Sequence, residues 1–136
     1  MAATVKELLS QSTEAVRRHD VAAVVELYHP NAALHMPGAD PVVGRAAIAA
    51  HFTKLLAEQP VDLEHEVTEE HLHEVTSDLA IVDTVGISRW GNSESGIEGF
   101  TMIATRDESG DWLWAGIRGA LVPKRTRLNE GLQSSG

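Results

Sequence analysis

Histidine and carboxylate side chains supply most of the groups in this sequence that could carry out chemistry. The 136 residues include 7 histidines and 20 acidic residues but no cysteine, which excludes thiol catalysis, disulfides and thiolate metal sites. Imidazole and carboxylate groups are common general acids and bases in enzymes. We therefore single out His51, Asp83 and His35 as candidate catalytic residues.

The two histidine candidates also have structural interpretations. His51 lies beside Phe52 on a partly apolar helix face, where a histidine is more often a packed structural residue than a catalyst. His35 directly precedes Met36 on a predicted strand, and strand alternation sends neighbouring side chains to opposite faces. Pocket chemistry by His35 therefore requires a departure from ideal alternation.

Asp83 interrupts the otherwise apolar strand predicted over residues 79–87. Its carboxylate is either an acid–base group inside a pocket or an ion-pair partner for Arg89 or Arg118 on the sheet surface. The apolar side chains of Ala80 and Val82 on the other face favour the surface interpretation.

A cluster of histidines and glutamates raises the question of a metal site. His71 and His73 are spaced to lie on one strand face, with His65 and Glu69 nearby, as in some zinc enzymes. A bulge near residues 68–70 would turn both histidines toward solvent, because Leu72 has the opposite parity to Val67 and the apolar residues before it. We predict no metal site here.

Capping signals predict three helices in the first half of the chain. Thr4 followed by Glu7 is a capping-box pattern at the start of the first helix. Asp20 is a good N-cap for a second, shorter helix. Gly44 leads into a third helix, which Pro60 ends.

Alternating polar and apolar residues predict an antiparallel sheet in the second half. Helices followed by hairpin-linked strands indicate an α+β fold, and the helices are available to cover one sheet face. The predicted strands are a short one at 32–36, one that begins at Val61, and then 79–90, 99–106 and 112–122.

Several of these segments together resemble a known superfamily. They are similar to the nuclear-transport-factor-two-like superfamily, in its ketosteroid-isomerase-like or SnoaL-like branch, and most of all to the J-type proteins of actinobacterial polyketide and enediyne biosynthesis. The resemblance implies a cystatin-like cone, in which three N-terminal helices pack on a curved, mainly antiparallel sheet around an apolar pocket. It implies a single domain over 1–122, followed by a polar tail over 123–136. The matching segments are 19–28, 30–32, 43–48, 78–82 and 107–112.

The resemblance also argues against steroid isomerisation. It places Ser12, Met36 and Met102 where ketosteroid isomerase has a tyrosine, a carboxylate base and a protonated aspartic acid. A thioether neither removes nor supplies a proton, so this chemistry is lost. An epoxide-hydrolase-like site would need an Asp–Arg–Asp set, of which Asp83 and Arg118 supply only a part.

The same resemblance implies a set of pocket-lining residues, for which simple core packing is the alternative. Methionines and small residues would line an adaptable apolar cavity. The predicted ligand-binding residues are Ser12, Tyr28, Met36, Phe52, Phe100, Met102, Ala104, Ala115, Ile117 and Gly119.

Composition restricts the partners of the protein. A net charge of −9 disfavours nucleic acid, and no apolar run is long enough to cross a bilayer. We find no Gly-rich phosphate loop, so we expect no cofactor. The N-terminus lacks a secretory pattern, and we expect the protein in the cytoplasm.

Trp112 and Trp114 share a predicted strand face with Arg118, opposite the presumed pocket. Two aromatics on an outer sheet face need cover, and we expect a homodimer through that face; an aromatic ligand platform is the alternative.

For function, we predict binding of a hydrophobic, polyketide-like small molecule, by either a tailoring enzyme or an accessory protein. The alternatives are a non-catalytic assembly or protein-partner domain, and a small acid–base hydrolase or cyclase.

Overall fold

The computed structural model describes residues 2–59, 62–94 and 97–122, so the predicted tail over 123–136 lies outside the described residues. Within these ranges the chain forms three helices: α1 (Val5–Arg17), α2 (Val21–Glu26) and α3 (Arg45–Glu58). Thr4 Oγ1 accepts a hydrogen bond from the Glu7 amide, and the Asp20 carboxylate accepts one from the Ala23 amide. Both predicted N-caps are confirmed.

The described residues also form seven strands: β1 (Tyr28–His35), β2 (Val42–Val43), β3 (Glu64–Thr76), β4 (Leu79–Trp90), β5 (Ser93–Glu94), β6 (Ile97–Arg106) and β7 (Trp112–Val122). They make one sheet in the order β2-β1-β7-β6-β4-β3, with β5 paired to β4. Neighbouring strands are antiparallel except β1 and β7, which run parallel. The α+β prediction is therefore confirmed.

The first strand begins earlier than the sequence pattern predicts. We expected the strand to begin at Ala32, but β1 already begins at Tyr28. The Trp114 amide donates to the Leu27 carbonyl at 2.8 Å, so pairing with β7 extends the strand back to the end of α2. This parallel contact joins residues that are far apart in the sequence, so no local sequence pattern predicts it.

The helices cover one face of the sheet, which we call the inner face. The opposite, outer face carries exposed residues that include Asp83, Thr101, Ile103 and Arg118. The inner face forms the core with α1, α2 and α3, because its alternate residues are mostly apolar. Its fully or nearly fully buried residues are Ala80, Val82, Met102, Ala104, Trp112 and Trp114.

Candidate functional site

Part of the inner face remains accessible within the described structure, and four apolar side chains mark it. Met36, Phe100 and Ile117 are only half-buried, and Val67 is 48% exposed. We call these four residues the open patch. Strand pairing places Phe100, on β6, and Val67, on β3, on the same face, with β4 between the two strands. Met36, Phe100 and Ile117 pack against the buried core, and Val67 lies at the β3 side of the patch.

Gly119 determines how much room the open patch has. A methyl group at this position would lie 2.9 Å from Met36 Sδ and 3.2 Å from Phe100 Cε1. Because both contacts are shorter than ordinary van der Waals separations, any larger residue would push these side chains into the open space. The predicted ligand-binding residues Met36, Phe100, Ile117 and Gly119 thus lie together on the inner face.

Four other predicted ligand-binding residues belong to the buried core. Met102, Ala104, Tyr28 and Phe52 are all buried. The rings of Tyr28 and Phe52 pack with centroids 6.0 Å apart, and burial raises the pKa of the Tyr28 hydroxyl above its ordinary value. These residues support the site from the core and offer little surface to a ligand.

Ser12 serves the core through a hydrogen bond with Trp114. The indole Nε1 of Trp114 donates to Ser12 Oγ at 2.6 Å, and the indole is only 1% exposed. This bond satisfies a polar group that would otherwise be buried without a partner. Ser12 thus has a structural role in the core, and its contact with a ligand stays a prediction.

The placement of Trp112 and Trp114 on the outer face is wrong. Both are buried on the inner face, Trp114 opposite Ala104. Ile103 pairs with Gly116, but the next residue of β6, Ala104, pairs with Trp114. The register between the two strands therefore shifts, and Ala115 lies in a bulge of β7. The bulge reverses the alternation between the two halves of β7. The predicted inward position of Ala115 is corrected for the same reason.

Two of the three predicted catalytic residues lie on the outer face, away from the open patch. Asp83 is exposed, and Thr101 Oγ1 donates to its carboxylate at 2.6 Å. His35 pairs with Arg118, which follows inward-facing Ile117 on β7. The pocket role that we left open for Asp83 and His35 is therefore wrong, and an Asp83–Arg118 pair cannot act inside a pocket.

Asp83 lies on the sheet surface, as the surface interpretation predicted, but its partner is not one of the two that we predicted. We expected an ion pair with Arg89 or Arg118. The hydrogen-bond partner of Asp83 is Thr101, and Arg89 instead hydrogen-bonds Glu66 and Glu94.

His51 remains the one catalytic candidate that the structure does not place on the outer face. It is half-buried on α3, and its ring meets Phe52 edge-on with centroids 5.4 Å apart. Catalysis by His51 stays a prediction.

The bulge that we predicted in β3 is confirmed. Val67 pairs with Gly86 and Glu69 pairs with Val85, so Thr68 is the extra residue. Beyond it, His71 and His73 pair with outer-face residues and are exposed. Among the described residues, no group of three histidines or carboxylates is arranged to hold a metal ion.

A separate hollow of about 210 Å³ lies at the other end of the molecule, beside the N-terminus and the hairpin between β6 and β7. Its lining includes Glu26, Arg45, Asp107 and Asp111. The Arg45 Nε group already donates to the Tyr28 carbonyl at 2.8 Å. Three carboxylates make this hollow unsuitable for an apolar ligand.

Comparison with protein families decides the relationship of this chain. The family described as the SnoaL-like domain matches residues 9–111, which is most of the chain. The chain belongs to the SnoaL-like domain family. Among curated proteins, none matches it.

Solved structures with the same fold agree with this membership. An NTF2-like protein of unknown function from Pseudomonas putida KT2440 has a TM-score of 0.77 at 18% identity, covering 85% of this chain and 82% of that chain. A ketosteroid isomerase-like protein from Erwinia carotovora atroseptica has a TM-score of 0.73 at 17% identity, covering 90% and 96%. An NTF2-like protein with a cystatin-like fold from Novosphingobium aromaticivorans has a TM-score of 0.71 at 20% identity, covering 87% and 79%.

These identities establish the fold alone, and the predicted cystatin-like architecture is confirmed. The SnoaL-like chain also has no helix in its described residues that could cross a membrane. In this fold Met36 and Met102 both lie on the inner face, where a thioether offers polarisable contact and no proton transfer.

Sequence reasoning did not identify the hydrogen bond between His65 and Ser88, at 3.0 Å from Nδ1 to Oγ. A signal was available. Alternation placed His65 on the same face as Val67, and counting the hairpin register back through the predicted bulge would have put Ser88 opposite.

Proposed function

We propose that this SnoaL-like protein binds a hydrophobic small molecule of the polyketide-like class on the open patch. The observation that carries the proposal is the partial exposure of Met36, Phe100, Ile117 and Val67 on the face that elsewhere forms the core. Apolar surface left open beside a packed core is typical of ligand sites. The resemblance to J-type proteins of polyketide and enediyne biosynthesis supports the ligand class, and a cytoplasmic location stays a prediction.

A binding or accessory role fits the residues better than acid–base catalysis. Asp83 and His35 lie on the outer face, and methionines occupy the positions where ketosteroid isomerase has its base and acid. A hydrolase or cyclase would therefore depend on His51, half-buried on α3. If the protein is such an enzyme, its reaction rate should collapse in the His51→Ala variant, while its affinity for the ligand should be unchanged.

Native mass spectrometry of the freshly purified protein tests the proposal. We expect the protein to retain an apolar small molecule, or to bind at least one member of a panel of polyketide-like aromatic compounds, with one ligand per chain. A protein that stays bare against the whole panel would favour the alternative of an assembly domain whose interior is filled by its own side chains.

We also propose a homodimer through the outer face, now without the tryptophans. Ile103 is 41% exposed there, beside a polar row that crosses five strands. Strand pairing orders that row as His71, Asp83, Thr101, Arg118 and His35.

The order of charges in the polar row selects one arrangement of two copies. A two-fold axis parallel to β6 and passing over Thr101 reverses the row between the copies. Asp83 of one copy then faces Arg118 of the other, twice per dimer. An axis perpendicular to the strands would instead place Asp83 against Asp83, which is unfavourable.

A further inference from the structure

The bulge in β3 separates one histidine from the others on that strand. Before Thr68, the alternation places His65 opposite Ser88 and Val67 opposite Gly86, on the inner face. After Thr68, His71 lies opposite Asp83 on the outer face. A single extra residue therefore directs the imidazole of His65 toward the side of the sheet that holds the open patch.

Gly86 makes room for the His65 ring against the sheet. A methyl group at Gly86 would lie 3.1 Å from both Cε1 and Nε2 of His65, and 2.5 Å from the Glu66 carbonyl oxygen. No L side chain fits at that distance from a backbone atom. The ring thus lies over the glycine, next to Val67 of the open patch.

Ser88 fixes the orientation of the ring. Its Oγ lies 3.0 Å from His65 Nδ1. Among the described residues, this is the only hydrogen bond that the His65 side chain makes. The other ring nitrogen, Nε2, is therefore available to contact a ligand. When the serine hydroxyl donates to Nδ1, the neutral ring carries its proton on Nε2 and can donate it to a ligand oxygen.

The surroundings of the pair restrict the ligand chemistry. Val67 offers apolar contact, and Trp90, two residues beyond Ser88 on β4, is half-buried. The charged residues on the same face are acidic, which disfavours a ligand carboxylate. Glu98 lies opposite Gly86 on β6, and Glu70 lies opposite Thr84 on β3.

We propose that His65 and Ser88 form the polar recognition point of the open patch, for an uncharged aromatic ligand that carries a hydroxyl or carbonyl oxygen. The proposal rests on the proposed function, since it assigns one end of the same binding surface. His65 Nε2 donates to the ligand oxygen, Ser88 positions the imidazole, and the ligand's ring lies across Val67 toward Phe100. His65 is here a binding residue and no covalent step is involved.

Calorimetric titration with naphthol and naphthalene separates the oxygen contact from apolar binding. In the full-length protein, His65→Leu should weaken naphthol binding about tenfold, the loss of one hydrogen bond, and leave naphthalene binding within about twofold. Ser88→Ala should weaken naphthol binding in the same direction by freeing the ring. His65→Asn, which keeps a donor, should recover part of the affinity.

His73→Leu is the matched control, because His73 is an exposed histidine of the same strand on the outer face. It should change neither affinity. Equal binding of the two compounds by the unmodified protein, with no effect of His65→Leu, would overturn this inference and leave the proposed function standing. Failure of both compounds to bind would overturn both. An equal loss in His73→Leu would overturn the assignment to His65.

Discussion

The hydrogen bond between Ser12 and Trp114 ties the first helix to the last strand. It joins a half-buried hydroxyl to a buried indole, and the residues are 102 positions apart in sequence. The family resemblance identified Ser12 as the replacement for a catalytic tyrosine and as a ligand-binding residue. The structure shows instead that it satisfies the one polar atom of a large core side chain.

Removing this hydroxyl should destabilise the fold. Ser12→Ala leaves the Trp114 N–H without its acceptor, at a cost of about 1–3 kcal/mol in the free energy of unfolding. Ser10→Ala, an exposed position on the same helix, should change it by less than about 0.5 kcal/mol. Denaturant unfolding followed by tryptophan fluorescence measures both. Equal effects of the two substitutions would contradict the role given to this bond.

Tyr28 should make the protein sensitive to alkali. Burial raises the pKa of its hydroxyl in the folded state, whereas an unfolded tyrosine ionises at about 10. Its contribution is therefore fully present below pH of about 10 and is lost as the pH rises toward the folded pKa, because only the unfolded chain ionises readily. Tyr28→Phe should remove this component of the alkaline loss of stability.

Tyr28 is the only tyrosine, so its ionisation can be followed directly. Ultraviolet absorbance of tyrosinate should appear only together with unfolding, as reported by circular dichroism. Ionisation in a protein that is still folded, at the pH of a free tyrosine, would show that the hydroxyl is accessible to solvent.

At the level of secondary structure, elements with strong local signals were predictable and bulges were less so. The capping residues gave the starts of α1 and α2, and alternation gave β4 with its observed bounds. The β3 bulge was visible because polar and apolar residues alternate on that strand. In β7 both faces carry apolar residues, so the sequence held no sign of the bulge at Ala115 that places both tryptophans inside.

The turn between α1 and α2 contains a strained residue. His19 has a φ of 56°, in the left-handed region, and its amide donates to the Val16 carbonyl while the Asp20 amide donates to Ala15. This is the helix-terminating arrangement for which glycine is preferred.

His19→Gly should therefore stabilise the protein by about 1 kcal/mol, because a non-glycine residue pays that amount in this conformation. His19→Ala keeps the Cβ and should bring no such gain. Thermal unfolding of the two variants checks this. A gain of the same size in both would show that the imidazole, and not the backbone, is responsible.

At the scale of the whole molecule, we propose that the inner face binds the ligand and that the outer face forms the dimer interface. The charge order of the polar row makes the dimer testable by reversal. Asp83→Arg and Arg118→Asp should each weaken dimerisation about tenfold or more, since each places like charges together twice. The double variant should restore it. Analytical ultracentrifugation measures the dissociation constants, and independent, additive losses in the double variant would contradict this arrangement.

Membership of the family establishes the fold but not the ligand, which depends on the side chains of the inner face. Glycines at 116 and 119 on β7 give a matched pair of positions. A methyl group at Gly119 would press on Met36 and Phe100, whereas one at Gly116 would lie 3.8 Å from the Ala33 carbonyl oxygen, an ordinary contact.

Calorimetric titration of naphthalene into the Gly119→Ala and Gly116→Ala variants therefore tests the central claim most directly. We predict that Gly119→Ala loses about tenfold or more in affinity, because Met36 and Phe100 are forced into the space that the ligand would occupy. Gly116→Ala should bind as the unmodified protein does. Equal affinity in all three proteins would contradict the claim that the open patch is the binding site.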